Sequence, residues 1–233
     1  MNRNNMHERI EKSPIIVTGC ARSGTSMVAG VINICGAFGG KLYGPNKYNQ
    51  KGMFENASIR EQVDKGYLRS IKMDPKGQSP LPDTDKLLIP ADWSSQVENI
   101  MLAEGYKEGP WFYKGARCCL VWPVWNYAYP NAKWVIVRRR SVDIVTSCRN
   151  TAFMNAYNTD EGWMEWIHHH EEKFVEMIQA GLNVKIVWPE RMVRGNYEQI
   201  YELIVWLGLK WNAKEVMDFI EPKLWKAKQK MGV

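Results

Sequence analysis

An apolar strand, a glycine loop and a helix follow one another without a gap near the start of this chain. Residues 14–18 (PIIVT) form a short apolar run, which indicates a buried strand. The loop GCARSGTS occupies 19–26, and apolar residues then recur at helical spacing over 27–35. Such a loop offers backbone N–H groups and a helix dipole to an anion. The segment therefore predicts an α/β domain with an anion site at this loop.

The rest of the chain continues the alternation of strands and helices. Further strands are predicted at 111–114, 134–137 and 184–188, and helices at 57–73, 94–105, 141–151, 160–180, 197–207 and 213–220. This order favours a P-loop-type, three-layer α/β/α fold with a mostly parallel central sheet of about four to five strands. The length of 233 residues suits one domain over 1–233. Four prolines in 74–92 predict a loop excursion or a mobile flap there.

Composition narrows the class of protein. The formal charge of +6 suits an anionic ligand. Five cysteines without a CxxC pair predict free thiols in a reducing compartment. The polar first thirteen residues and the lack of a long apolar run predict a cytoplasmic protein with no membrane partner.

The run 168–170 is three histidines on a predicted helix. Their side chains point about 100° apart, so we expect a solvated helix face and no metal site.

The loop has the G-x4-G spacing of a nucleotide triphosphatase between Gly19 and Gly24. Thr25 stands where such a protein needs its lysine, and Arg22 lies inside the loop instead. This substitution disfavours a kinase or nucleotide hydrolase. A P-loop kinase, or a nucleotide-binding protein acting on phosphorylated substrates, stays the alternative to the function developed next.

The pattern T-G-x-x-R-S-G-T-S resembles the loop with which the sulfotransferase family binds 3'-phosphoadenosine-5'-phosphosulfate (PAPS). The resemblance implies PAPS as co-substrate and Arg22 facing its bridging oxygen. It also implies that the 5'-phosphosulfate site is formed by Gly19, Arg22, Ser23, Gly24, Thr25 and Ser26.

A second family motif is matched by RRRSVDIVTS, after the predicted third strand. Arg139, Asp143 and Ser147 stand in its register, and the resemblance implies that Arg139 and Ser147 bind the 3'-phosphate. A guanidinium beside a hydroxyl is a suitable receptor for a dianion. The family often has proline at the position of Ser141, and Arg138 is an alternative phosphate ligand.

Two further segments resemble the family more loosely. NQKGMFEN matches N-x-x-G-x-x-E, which implies that Glu55 is the base, and a carboxylate beside Phe54 is expected to have a raised pKa. WFYKGARCC matches a K-x-x-R frame at Lys114 and Arg117, so Lys114 would join Arg22 in stabilising the leaving 3',5'-diphosphate. The alternatives are an exposed loop glutamate and a surface lysine.

These features together predict a PAPS-dependent sulfotransferase that transfers a sulfuryl group in line to a hydroxyl or amine acceptor, without a metal. Its partners are the nucleotide and an acceptor that the sequence does not identify, with no nucleic acid. The basic segment 223–230 is predicted to be a frayed tail, or alternatively to close over the nucleotide.

Overall fold

The structure, a computed structural model, describes residues 10–225. The predictions for the first nine residues and for 226–230 lie outside this range. A four-stranded sheet has the order β2-β1-β3-β4, with every pair parallel. Its strands are β1 (Ile15–Thr18), β2 (Phe112–Lys114), β3 (Lys133–Val137) and β4 (Asn183–Val187). The four predicted strands are confirmed to within one residue at each end.

Helices follow the strands on both faces of the sheet. They are α1 (Thr25–Ile34), α2 (Lys65–Ser70), α3 (Trp93–Ala103), α4 (Trp122–Ala128), α5 (Ser141–Arg149), α6 (Asp160–Gln179), α7 (Glu190–Val193), α8 (Glu198–Leu207) and α9 (Ala213–Phe219). Short 3-10 helices span Thr84–Lys86, Ala116–Val121 and Pro222–Leu224. The single helix predicted over 57–73 is instead a π-helix, Ile59–Asp64, continued by α2. The short helices α4 and α7 were not predicted.

Alternate side chains of the strands enter two separate cores. Ile15 and Val17 of β1 pack with α1, α8 and α9 on one face of the sheet. Ile16 faces the other side, where Trp125 of α4 and Trp163 of α6 are fully buried. Period-two alternation with both faces covered is expected of a parallel sheet between helical layers. The predicted three-layer α/β/α architecture is confirmed.

The central position of β1 determines where functional groups meet. The glycine loop that follows β1 lies between the carboxyl ends of β2 and β3. Lys114 ends β2, and Arg139 follows β3 by two residues. Carboxyl ends of parallel strands share one edge, which is where open α/β sheets bind their ligands.

The proline-rich segment 74–92 is irregular apart from one 3-10 turn, yet it is packed against the domain. Gln78 is 2% exposed, and its amide donates to the carbonyl of Phe153 at 2.8 Å. Its side-chain oxygen accepts from the N–H groups of Asn155 and Ala156. Trp166 of α6 donates its Nε1–H to the carbonyl of Gly77 at 2.9 Å. These bonds tie Gly77 and Gln78 to residues 153–156 and to α6, so the segment is a loop excursion that packs on the domain at this point.

Two sequence expectations about side chains have different outcomes. All five cysteines are free and buried, as predicted. The histidine run is not a solvated face throughout, because His170 is 1% exposed and bonds through Nδ1 to the carbonyl of Trp166 at 2.8 Å. The error arose because α6 buries a wide stripe that includes this position. Burial lowers the pKa of His170 to about 4, so it is neutral at pH 7.

Within residues 10–225, none of the helices is long and apolar enough to cross a membrane. The same part of the chain holds no group of three or more His, Cys, Asp or Glu side chains arranged to bind a metal ion.

Candidate functional site

The loop between β1 and α1 is a tight turn that leaves its donors available. Gly24 adopts a left-handed conformation with φ 99° at the helix N-cap, and Arg22 has φ 73°. The N–H of Ser23 closes the turn on the carbonyl of Cys20 at 3.1 Å. Among the described residues, no acceptor binds the N–H groups of Gly24, Thr25 and Ser26. The buried Oγ of Ser23 also lacks a partner there, so this turn offers donors that an anion could bind.

Gly19 explains how the loop comes so close to β3. Its φ is 152°, and a Cβ at this position would collide with the carbonyl oxygen of Val137, the last residue of β3. Only glycine permits such an approach of two backbones. The loop is therefore held directly beside the residues that follow β3.

The second predicted anion pocket adjoins the loop. Arg22 Nε donates to Ser147 Oγ at 3.0 Å, and Arg139 Nη1 donates to the carbonyl of Arg22 at 3.0 Å. Arg139 is 6% exposed, and burial lowers the pKa of both arginines. The structure thus brings Arg22 together with Arg139 and Ser147, although it lies more than 100 residues from both in sequence.

The neighbouring arginines face elsewhere. Arg138 pairs with Glu171 of α6 and lies over the ring of Trp188, with 5.4 Å between guanidinium carbon and ring centroid. Arg140 pairs with Asp143 at 2.8 Å. Of the three consecutive arginines, Arg139 is the one that contacts the glycine loop.

A buried charge cluster lies on the other side of the loop, at the end of β2. Glu55 Oε1 accepts from Lys114 Nζ at 2.6 Å, and its Oε2 lies 2.9 Å from Arg60 Nε and 3.7 Å from Arg117 Nη2. Glu55 and Lys114 are each 4% exposed. These two residues are therefore neither an exposed loop glutamate nor a surface lysine.

The expectation of a raised pKa for Glu55 is wrong. Burial alone raises it, but the charges of Lys114, Arg117 and Arg60 outweigh burial and lower the pKa to about 2. Burial lowers the pKa of Lys114, although the carboxylate opposes this shift. Glu55 is ionised at neutral pH, and as long as these three cations surround it, it is a weak base.

Sequence reasoning missed Arg60 and Asp64, both in the π-helix that follows Glu55. Asp64 is fully buried and accepts from the hydroxyl of Tyr113 at 2.6 Å and from Trp125 Nε1 at 3.1 Å. Burial raises its pKa. The sequence pattern predicts one regular helix over 57–73. It does not reveal the π-helical turn at Ile59–Asp64, which directs both side chains toward β2.

Aromatic rings flank the opposite side of the loop, near β4. A cavity of about 250 Å³ is lined by Trp188, Glu190, Arg191 and Arg194, just past the end of β4. Trp225 lies over Arg139, with 4.2 Å between ring centroid and guanidinium carbon. Indole faces beside guanidinium groups suit a planar base and anionic groups.

Comparison with known proteins identifies the fold. No protein-family model matches the chain, and no curated protein matches it in sequence. Among solved structures, sulfotransferase STF1 from Mycobacterium tuberculosis H37Rv is similar at 15% identity and a TM-score of 0.51, over 91% of this chain and 72% of STF1. Sulfotransferase STF9 from Mycobacterium avium is similar at 14% identity and a TM-score of 0.58, over 93% and 68% respectively. The chain therefore has a sulfotransferase-like α/β fold.

Proposed function

We propose that this chain is a sulfotransferase that uses PAPS as its donor and transfers the sulfuryl group to a hydroxyl or amine. One observation carries the proposal: Arg22 bonds Ser147 while Arg139 bonds the carbonyl of Arg22, each at 3.0 Å. These bonds support the proposal because they hold the residues proposed for the 3'-phosphate against the loop proposed for the 5'-phosphosulfate. A nucleotide with phosphates at both its 5' and 3' positions suits such a pair of pockets.

The nucleotide would lie across the edge of the sheet. Its 5'-phosphosulfate would bind the N–H groups of Gly24, Thr25 and Ser26, together with the hydroxyl of Ser23. Its 3'-phosphate would bind Arg139 and Ser147. Its base would enter the cavity beside Trp188 at the end of β4. PAPS supplies an activated sulfuryl group, and the residues of this chain bind it, orient it and accept the acceptor's proton.

Arg22 and Lys114 would stabilise the charge that develops on the leaving phosphate oxygen. Both come from the edge of the sheet, one from the loop after β1 and one from the end of β2. Fixed cations in a site shielded from water contribute a large share of the rate in such transfers. Positioning of donor and acceptor in line contributes much of the remainder.

Glu55 would accept the proton of the acceptor. In the described state Lys114 holds it at a pKa of about 2, which is too low for an efficient base. If Lys114 turns toward the leaving phosphate, Glu55 loses its strongest counter-charge and its pKa rises toward the ordinary value of 4.5. The same movement would place Lys114 for catalysis and strengthen Glu55 as a base.

Thermal shift with three ligands tests the proposal. Adenosine 3',5'-bisphosphate should raise the melting temperature, because a ligand that binds only the folded state stabilises it. ATP with magnesium and single-stranded DNA should have much smaller effects. A shift with ATP and magnesium alone would instead favour a kinase or nucleotide-binding protein. Turnover of labelled PAPS with saccharide, phenol, peptide and lipid acceptors then tests the reaction itself.

A further inference from the structure

The indole of Trp225 contacts both predicted phosphate pockets. Its ring centroid lies 4.2 Å from the guanidinium carbon of Arg139. The same ring lies against Gly24, where a Cβ would be only 2.9 Å from the indole. Trp225 therefore bridges the turn that begins α1 and the arginine that follows β3.

Stacking on an aromatic ring orients an arginine without using its hydrogen-bonding edge. The guanidinium is planar, so one face can rest on the indole while its N–H groups point outward in the plane. Attraction to the ring quadrupole holds this orientation most strongly in partly desolvated surroundings. Trp225 is half-buried and Arg139 is 6% exposed, so the stack is largely shielded from water.

The segment that carries Trp225 is anchored independently of the indole. Val216 of α9 is fully buried, and the rings of Phe219 and Phe54 meet edge to face with centroids 5.7 Å apart. Glu221 pairs with Lys51 at 3.4 Å. Substitution of Trp225 should therefore alter the stack without detaching α9.

We infer that Trp225 is a positioning residue that orients Arg139 and fixes the distance between the two phosphate pockets, so that the site selects nucleotides phosphorylated at both ends. This inference rests on the proposed function, because it assigns Arg139 to the 3'-phosphate. It adds a determinant of specificity outside the two motifs that predicted the pockets. Trp225 itself need not touch the nucleotide.

The test compares two ligands that differ only in the 3'-phosphate. Dissociation constants of adenosine 3',5'-bisphosphate and adenosine 5'-monophosphate are measured by calorimetry for the wild type and for Trp225→Leu and Trp225→Phe. Leucine keeps apolar bulk but has no ring, whereas phenylalanine keeps an aromatic face. Trp206→Ala is the matched control, because Trp206 is also half-buried and lies near the cations of Lys133 and Lys185, away from the loop.

The wild type should prefer the bisphosphate. Trp225→Leu should reduce that preference about tenfold, while Trp225→Phe keeps most of it, as expected for loss of one desolvated cation–π contact. The control should keep the wild-type ratio. If leucine and phenylalanine variants both match the wild type, or both lose the preference equally, the stack does not position Arg139 and the inference is wrong. If the wild type binds adenosine 3',5'-bisphosphate no more tightly than adenosine 5'-monophosphate, the proposed function is wrong, and this inference is wrong with it.

Discussion

Lys114 Nζ lies 2.6 Å from Glu55 Oε1, and both side chains are 5% exposed. A buried ion pair of this kind contributes little net stability when intact, but it is costly to break by removing one partner. In the proposed reaction Lys114 must move away from Glu55 while the substrates are bound. The strength of the pair therefore limits how readily Lys114 can leave Glu55 during turnover.

Replacing Glu55 by Gln should abolish turnover of PAPS while sparing nucleotide binding. The amide cannot accept the acceptor's proton, but the two phosphate pockets do not include it. Turnover with labelled PAPS and calorimetry with adenosine 3',5'-bisphosphate measure the two effects. A fully active Glu55→Gln enzyme would assign the base to another residue. Glu61→Gln, at a half-exposed neighbour on the π-helix, is the control and should stay active.

Stability should fall in acid because of Glu55. The pKa of Glu55 is about 2 in the folded chain and 4.5 in the unfolded reference. Its contribution to the free energy of unfolding is therefore fully present above pH 4.5 and is lost as the pH falls from there through 2. About 2 kcal/mol of the free energy of unfolding should disappear between pH 5 and pH 3 through this group. Urea unfolding at both pH values measures the difference in free energy of unfolding between the wild type and Glu55→Gln, and this difference should change by that amount. An unchanged difference would show that the carboxylate is not held by its three cations.

Substitution of Arg22 by Ala should lower turnover about 100-fold or more, as expected when a cation at the leaving group is lost. Single-turnover kinetics with saturating PAPS separates this effect from binding. Arg149→Ala is the matched control, because Arg149 ends α5 with its side chain 43% exposed. Near-normal turnover of Arg22→Ala would remove this residue from the catalytic group.

Substitution of Ser147 by Ala should weaken the affinity for adenosine 3',5'-bisphosphate by about tenfold and leave adenosine 5'-monophosphate almost unaffected. The loss of one hydrogen bond to a charged group has this magnitude. Thr146→Ala controls for the helix, since that hydroxyl bonds the carbonyl of Val142 instead. Equal weakening of both ligands would contradict the assignment of Ser147 to the 3'-phosphate.

Substitution of Gln78 by Ala should loosen the segment 74–92. It would leave the carbonyl of Phe153 and the N–H groups of Asn155 and Ala156 without their side-chain partner. We expect a loss of about 1–3 kcal/mol and faster proteolysis within 74–92. Gln96→Ala, whose amide donates to the exposed Asp92 side chain, should match the wild type. Unaltered cleavage of Gln78→Ala would mean that other contacts anchor the segment.

Local signals predicted the strands and the glycine loop well. Apolar runs such as 14–18 mark buried strands whatever the tertiary context, and the spacing of Gly19 and Gly24 marks the turn. The resemblance to the second sulfotransferase motif singled out Arg139 and Ser147, and the fold brings both beside Arg22.

Long-range contacts are where sequence reasoning failed. The pKa of Glu55 depends on Lys114 and Arg117, which are about 60 residues away in the chain and meet it only in the fold. The place of Trp225 over Arg139 likewise depends on how α9 packs against α1. Burial of His170 was missed because composition alone does not reveal how wide the buried stripe of α6 is.

The order of the strands also has a kinetic consequence. Lys114, Arg22 and Arg139 come from the ends of β2, β1 and β3, which are adjacent and in that order. Under the proposed function the acceptor's hydroxyl lies beside Glu55 and Lys114 at one end of this row, and the 3'-phosphate of the nucleotide lies beside Arg139 at the other, so the two substrates occupy different parts of the site. Inhibition by the spent nucleotide should then be competitive against PAPS and noncompetitive against the acceptor.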